Sequence, residues 1–420
     1  MNIQSFVSKA RVHHRLVTLF AVLGPGFITA IADNDVGGIA TFSLIGSKFG
    51  FSMMFVLLAI TLTLAVTQEM GARLAVVGRQ GLGDLIRERY GVRMSLGVFS
   101  LLLIANLGTI IVNLAGVKAA LGLLGLPILP SMAVFVFLIF LFIAIGNYQV
   151  NQRIFLGVSL LYVVYIISAF MARPNWDIAL SSIFIPTNIN FSPEYIYLAI
   201  ALLGTTVTPW GQFFISSFLV DKKISLSHLS YEQIEVYLGA LLTNGISFFV
   251  ITAVAATLFV NGIVVDSAES AALAIAPFVG KFATLLFGLG LLAAGFMGSV
   301  IVSLTTAYAF AEFFGYEGSL DIPYNRSNSF YRLFMVQIII ATLAVLLPFV
   351  SLFKVVVYAQ VINALLLPLI LVFVIKFCND KELLGEYTNS KIYNFVGVTS
   401  VVVIVAACIF LFIQTLLGLG

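Results

Sequence analysis

Eleven stretches of predominantly apolar residues follow one another along this chain, each close to the roughly 20 residues that one helical crossing of a bilayer needs. They run at about 17–47, 52–77, 95–123, 131–148, 154–172, 193–220, 236–261, 270–313, 331–349, 352–377 and 394–418. Only 9% of the 420 residues are charged, where a soluble chain carries about a quarter. The pattern predicts an all-α integral membrane protein with about 11 transmembrane helices. No soluble domain or basic–aromatic cluster remains to hold nucleic acid, and no obligate protein partner is indicated.

Basic residues set the expected orientation. With a cytoplasmic N-terminus, only Lys48, Lys118, Arg173, Lys281 and Lys354 of the 21 Lys and Arg fall on or towards the other side. This positive-inside bias explains the net charge of +3 and puts the C-terminus outside a cell membrane. The start, MNIQSFVSKARVHHRLVTLF, reads as the approach to a first span, since no small-residue cleavage site follows. Cys378 and Cys408 sit near one span end and inside the last span, so neither a disulfide nor a thiolate metal site is expected.

Two spans are interrupted. The first contains IADNDVGGIAT, residues 31–41, which sets Asp33, Asn34 and Asp35 beside Gly37 and Gly38. Of the 18 acidic residues, Asp33 and Asp35 alone fall near the middle of a long apolar segment; Glu69, Glu194, Glu235, Glu269 and Glu312 sit near span ends. An ionisable group at that depth costs a few kcal/mol and marks a functional cavity. A purely structural ion pair would need a base there, and the one intramembrane base, Lys118, lies near the outer end of its span. The expected unwinding covers Asp35–Gly38, where glycine permits non-helical backbone. Unwinding frees carbonyls, which lipid tolerates only around a cavity, and carbonyls beside a carboxylate suit a cation.

The sixth span carries the counterpart, ALLGTTVTPWGQFF, with Thr208, Pro209, Trp210, Gly211 and Gln212 expected to interrupt it because Pro209 removes a donor. Breaks in corresponding spans of two halves are the signature of inverted repeats. Each break opens a five-span unit, and five being odd, the units are inverted. The expected organisation is a cytoplasmic segment 1–16, a first repeat 17–175, a second repeat 190–377, and a loop with an eleventh helix over 378–420. Gln360 and Asn363, three apart in the tenth span, share a face towards the same cavity. Asn113 and Asn244 read as interhelical hydrogen-bonding amides.

With these residues in place the chain resembles the Nramp family of divalent-metal transporters, over about Gly24 to Glu386. The resemblance implies a LeuT-like fold. GPGFITAIADNDVGGIAT is similar to that family's first-helix signature and GTTVTPWGQFF to its sixth. On that alignment Asp35 falls on the metal-binding Asp, Ala32 and Thr205 on the carbonyl donors, Gln360 on the tenth-helix Gln that reaches the ion, and Gly37 and Pro209 on the family's Gly and Pro. Departures are equally clear. Val36 replaces the Pro, Gly38 the ligating Asn, Thr208 the thioether ligand, and Trp210 and Ile215 two histidines. Asn113 and Gly116 stand on the acidic pair associated with proton movement, and Asp33 and Asn34 are polar where the family is aromatic or apolar. The set looks like the Nramp-related magnesium transporters.

The chemistry of the residues agrees. Soft thioethers select soft metals, whereas oxygen ligands suit Mg²⁺ and Mn²⁺, and Mg²⁺ keeps several waters. The expected metal ligands are Asp35, Ala32, Thr205, Thr208 and Gln360, within a pocket edged by Asp33, Asn34, Gly38, Trp210, Gln212 and Asn363. The histidines, His13, His14 and His228, all fall on the cytoplasmic side, leaving no imidazole relay within the membrane. The expected function is movement of Mg²⁺, and also Mn²⁺, by alternating access without proton coupling and without a resident cofactor. A proton-coupled Mn²⁺/Fe²⁺ importer is the alternative. A LeuT-like amino-acid transporter fits less well, since Asp35 would repel a substrate carboxylate. A membrane-embedded enzyme would need a nucleophile–base or metal constellation that the spans lack.

Overall fold

The computed structural model describes residues 24–186, 189, 192–265, 270–272, 281–347 and 352–416. The expected segment 1–16, the start of the first span and Glu269 lie outside the described residues. The first span is split into α1 (Pro25–Ala32) and α2 (Val36–Phe49), followed by α3 (Met54–Gly78), α4 (Leu82–Leu123) and α5 (Ile128–Ile145). The fifth runs through α6 (Tyr148–Ser159), a 3-10 turn and α7 (Val163–Met171), and a short helix α8 (Trp176–Phe184) follows. The sixth is split into α9 (Pro193–Thr206) and α10 (Pro209–Lys222). Then come α11 (Leu229–Thr257), α12 (Lys281–Phe314), α13 (Asn328–Leu346), α14 (Leu352–Cys378), the single turn α15 (Lys381–Leu384) and α16 (Lys391–Leu416).

Eight described segments are each long and apolar enough to cross a membrane. The split first span, the shorter apolar helix at Ile128–Ala144, and the tenth, whose residues Ile362–Cys378 bend by 59° into Lys381–Tyr387, bring the count to the expected eleven. Boundaries differ where polar residues begin a helix. The third span starts at Leu82 rather than 95 and bends at Gly91, where φ is 76°. Its first turns carry charges that read as a loop, yet Leu82, Leu85 and Ile86 are buried. Similarly, the seventh starts at Leu229 rather than 236. Helix α8 forms where the sequence reads as a loop.

Lipid tails are as apolar as the helices, so association rests on close packing and interhelical hydrogen bonds. Two groups of helices result. In one, α11 packs on α1, α2 and α3, and α10 packs on α3; in the other, α4 packs on α12, α13 and α14. Ile39 and Phe42 of α2, Val117 of α4 and Val300 of α12 are fully or nearly fully buried in the shared core. The two helix breaks lie between the groups. The cysteines Cys378 and Cys408 are both free.

Candidate functional site

The first break falls on Asp33, Asn34 and Asp35, two residues earlier than expected. Gly37 and Gly38 are helical, in the first turn of α2. The reason is a cap. Asp35 takes an extended backbone, and its Oδ1 accepts from the Gly38 N–H at 2.9 Å, satisfying a donor that a helix start leaves open. Gly38 serves close approach instead: a Cβ there would lie 2.9 Å from the Asp33 carbonyl oxygen and 3.4 Å from Thr205 Oγ1.

Asn113 of α4 holds this break from the opposite group of helices. Its Nδ2 donates to Asp35 Oδ2 at 2.9 Å, and its Oδ1 accepts the Val36 N–H at 3.0 Å. In an unbroken helix that N–H would go to the Ala32 carbonyl. Asn113 therefore makes the interhelical bond expected of it. Asn244 does not, donating to the Ala240 carbonyl of its own helix at 3.3 Å.

The second break is shorter than expected, at Val207 and Thr208, while Pro209, Trp210, Gly211 and Gln212 all lie in α10. Thr208 caps that helix, accepting from the Gly211 N–H at 3.1 Å. Pro209 stands at the first helical position, where the missing N–H does no harm, but it offers none to the carbonyl four residues earlier, that of Thr205.

Asp33 joins the two breaks. Thr208 Oγ1 donates to its Oδ1 at 3.1 Å, and Gln68 Nε2 of α3 to its Oδ2 at 3.2 Å. Rather than edging a pocket, this carboxylate lies at the junction, with 2% of its surface exposed; Asp35 has 4%. Asn34 is a correction in the other direction. It turns away from the junction to α11, donating to Thr243 (3.0 Å to both O and Oγ1) and accepting from Ser247 at 2.9 Å. Neither Asp33 nor Asp35 is among the ion pairs of the described residues. Lys118 donates to the Val345 carbonyl at 2.9 Å, so neither carboxylate is held by a base there.

Around this junction the polar side chains form two threads. Asn363 of α14 donates to Thr109 Oγ1 at 3.0 Å, and the Thr109 carbonyl accepts from Asn113 at 2.9 Å, leading to Asp35. Gln212 reaches Thr67 of α3 at 3.4 Å, beside the Gln68 that bonds Asp33. The buried atoms Gln68 Oε1, Gln212 Oε1 and Asn363 Oδ1 have no hydrogen-bond partner; all three are acceptors, and one donor, Trp210 Nε1, shares that state. Among the described residues no three His, Cys, Asp or Glu side chains converge. Gln360 lies on α14 with its side chain outside the described residues.

Gly116 and Ile215 sit in apolar packing. A Cβ at Gly116 would meet Val36 Cγ2 at 2.3 Å, and Ile215 Cγ2 lies 2.8 Å from where a Gly71 Cβ would stand. Val36 thus fills the space in front of Gly116 that a carboxylate side chain would need.

A family model, natural resistance-associated macrophage protein-like (Nramp), matches residues 26–414. The chain belongs to the Nramp family. It is 25% identical over 415 residues to the divalent metal cation transporter MntH of Bacillus subtilis, covering 94% of this chain and 93% of the relative. To the MntH of Ralstonia nicotianae it is 29% identical over 433 residues, covering 95% and 92%. Among solved structures, a mutant of the manganese transporter of Eremococcus coleocola is similar with a TM-score of 0.75 at 19% identity, over 94% of this chain and 86% of that one. MhsT in complex with L-phenylalanine is similar with a TM-score of 0.62 at 15% identity, over 93% and 98%. These likenesses give the Nramp chain the LeuT-like fold expected of it: two inverted five-helix repeats with broken first and sixth helices.

Sequence reasoning missed Gln68, Thr67 and Thr109, which complete the threads of this Nramp junction, and Thr243 and Ser247, which hold Asn34. A signal existed for the first pair, since Thr67-Gln68-Glu69 is a run of three consecutive polar residues inside the largely apolar α3. Thr243 and Ser247 are four apart on one helix face, a pattern too common in membrane helices to stand out alone.

Proposed function

We propose that this Nramp-family protein carries a divalent metal cation across the cell membrane by alternating access, Mg²⁺ first and Mn²⁺ second, without moving protons. The observation that carries the reading is the junction itself: two buried carboxylates from one helix break, with no basic partner among the described residues, in a surround of hydroxyl, amide and carbonyl oxygens. Two negative charges match one divalent ion. In this reading Asp35, the Ala32 and Thr205 carbonyls, Thr208 and Gln360 contact the cation. Asp33 joins them from the junction, and Gln212 and Asn363 face its waters. Diversion of the Val36 N–H to Asn113 supports the Ala32 carbonyl assignment, and Thr205 stands beside the junction, its Oγ1 3.4 Å from where a Gly38 Cβ would lie. Hard oxygen donors favour a hard ion over a soft one, and a junction with only two carboxylates suits an ion that keeps part of its hydration shell.

The two groups of helices, each drawn from both repeats (17–175 and 190–377), are proposed to rock against each other, with the N-terminus cytoplasmic and the C-terminus outside. Asn113 in place of an acid, and Val36 packed onto Gly116, support the absence of a proton path. The membrane potential then drives entry, at about 4.6 kcal/mol per 100 mV for a doubly charged ion. The second reading is proton-coupled Mn²⁺/Fe²⁺ import; in its favour for Mn²⁺ is the name of one structural neighbour, the manganese transporter of Eremococcus coleocola.

The deciding experiment is flux into liposomes loaded with a pH-sensitive dye, at clamped potential, with Mg²⁺, Mn²⁺ or Ca²⁺ added outside. Entry of Mg²⁺ and Mn²⁺ with no metal-dependent acidification is expected. Acidification that disappears in Asp35→Ala would restore the proton-coupled reading, and Mn²⁺ entry without Mg²⁺ would overturn the assignment of the ion.

A further inference from the structure

A long-range contact at the end of α1 remote from the junction has no part in the site above. The first turn of α1 has three N–H groups to satisfy, those of Gly24, Gly26 and Phe27, because Pro25 has none. Its N-cap, Gly24, has no side chain with which to cap them. Glu235, 211 residues further on in α11, supplies the missing cap: its Oε1 accepts from Gly24 N at 2.7 Å and Phe27 N at 2.9 Å. A carboxylate also complements the positive end of the helix dipole.

Glu235 is the first member of a row. Glu235, Gly239, Thr243 and Ser247, four residues apart, lie along one face of α11, and that face follows α1 from its start to the break. At mid-length the two helices meet closely on glycines. A Cβ on Gly239 would lie 3.1 Å from Ala30 Cβ and 3.2 Å from the Gly26 oxygen, and one on Gly26 would lie 2.8 Å from Val236 Cγ2. At the break end, Thr243 Oγ1 donates to the Ala30 carbonyl, and Asn34 is held by Thr243 and Ser247. So α1 is tied near the break through Ala30 and Asn34, rests on small residues in between, and at its far end is capped by Glu235, with Gln152 of α6 packed against Gly24. The eight residues make a lever about 12 Å long, and its end leads directly into Asp33, Asn34 and Asp35.

We propose that Glu235 is a positioning residue for transport: its cap holds α1 against α11 in the closed arrangement, and breaking that cap lets α1 pivot about Asn34 to open the junction on this side. The inference rests on the alternating-access reading and deepens it. Glu232, three residues before Glu235 on the same helix and 3.9 Å from Lys222 Nζ, is the neighbour that shapes its test. Glutamine at 235 keeps an acceptor for the two N–H groups and adds a donor towards Glu232, whereas alanine removes the cap.

The experiment is the rate at which a water-soluble maleimide labels Thr29→Cys in the purified full chain, in a Cys378→Ala, Cys408→Ala background without metal. Thr29 lies on α1 with none of its surface exposed. Ser303→Cys, in α12 and equally buried, is the control. Glu235→Ala is expected to raise labelling at position 29 about tenfold, equivalent to roughly 1.4 kcal/mol, with position 303 still protected and Glu235→Gln close to the parent. An unchanged rate in Glu235→Ala, equal acceleration at position 303, or fast labelling in Glu235→Gln would each overturn the proposal. No metal is present in this measurement, so its failure is separate from a failure of Mg²⁺ flux.

Discussion

The two helix breaks meet at one carboxylate but are made in different ways. The second is local. Thr208 caps α10 with its own hydroxyl and Pro209 starts it, so two consecutive residues would end one helix and begin the next in almost any surroundings. The first break has no proline. Its Asp35 cap is local, but the rest comes from distant residues: Asn113 takes the Val36 N–H, Gln68 and Thr208 hold Asp33, and Thr243 and Ser247 hold Asn34. The difference teaches that a break bearing two buried charges depends on its neighbours for its shape. The second break, by contrast, supplies a fixed edge.

If that contrast is right, substitutions in the first break should cost more function than those in the second. The largest effect is expected for Asp35→Ala, which removes a carboxylate and its cap together. Mg²⁺ and Mn²⁺ flux into liposomes should fall about a hundredfold, equivalent to roughly 2.7 kcal/mol, while size-exclusion profiles stay monodisperse. Flux within a factor of about two of the parent would remove Asp35 from the site.

Next in size is Asn113→Leu. It leaves the Val36 N–H and Asp35 Oδ2 without their partner, at a cost of about 1–3 kcal/mol for each buried group left unsatisfied. Thermal stability should drop clearly and flux should fall about tenfold. A variant as stable and active as the parent would mean that the first break keeps its shape without α4, and the contrast between the breaks would be lost.

The smallest effect on total flux is expected at the second break, for Thr208→Met. Loss of the cap should cost about 1 kcal/mol and loss of the donor to Asp33 Oδ1 about 1–3 kcal/mol, visible as a decrease in melting temperature smaller than that of Asn113→Leu. The thioether should shift competition among ions towards Mn²⁺ or Cd²⁺ and away from Mg²⁺. A competition profile identical to the parent's would show that Thr208 has no part in ion choice. Pairing this change with Gly38→Asn is ruled out by the close approach of the Asp33 carbonyl to Gly38, since a side chain there would push the first break apart rather than only narrow a pocket.

Much of the architecture was legible in the sequence, because its determinants are one-dimensional. Bilayer thickness sets span length, so eleven spans could be counted. Proline and threonine mark a helix start by local chemistry, so the sixth-span interruption was found, although Trp210, Gly211 and Gln212 proved to continue the helix. The burial of Asp33 and Asp35 was visible because carboxylates stand out in an apolar run. Tertiary structure decided what those groups face. Asn34 lies between the two aspartates in the chain, yet successive residues at a break point in different directions, and it turned to α11 while they did not. Gly38 reads as a helix breaker by propensity, but the Asp35 cap made it helical and the nearby Asp33 carbonyl gave it a spatial role. Asp33 reads as peripheral until Thr208 and Gln68 are seen to meet on it. Glu235 reads as an ordinary span-end acid, and only the packing of α11 along α1 brings it, 211 residues away, to two unsatisfied N–H groups. Hydrogen bonds between distant segments depend on the positions of whole helices, and no local run of residues encodes those.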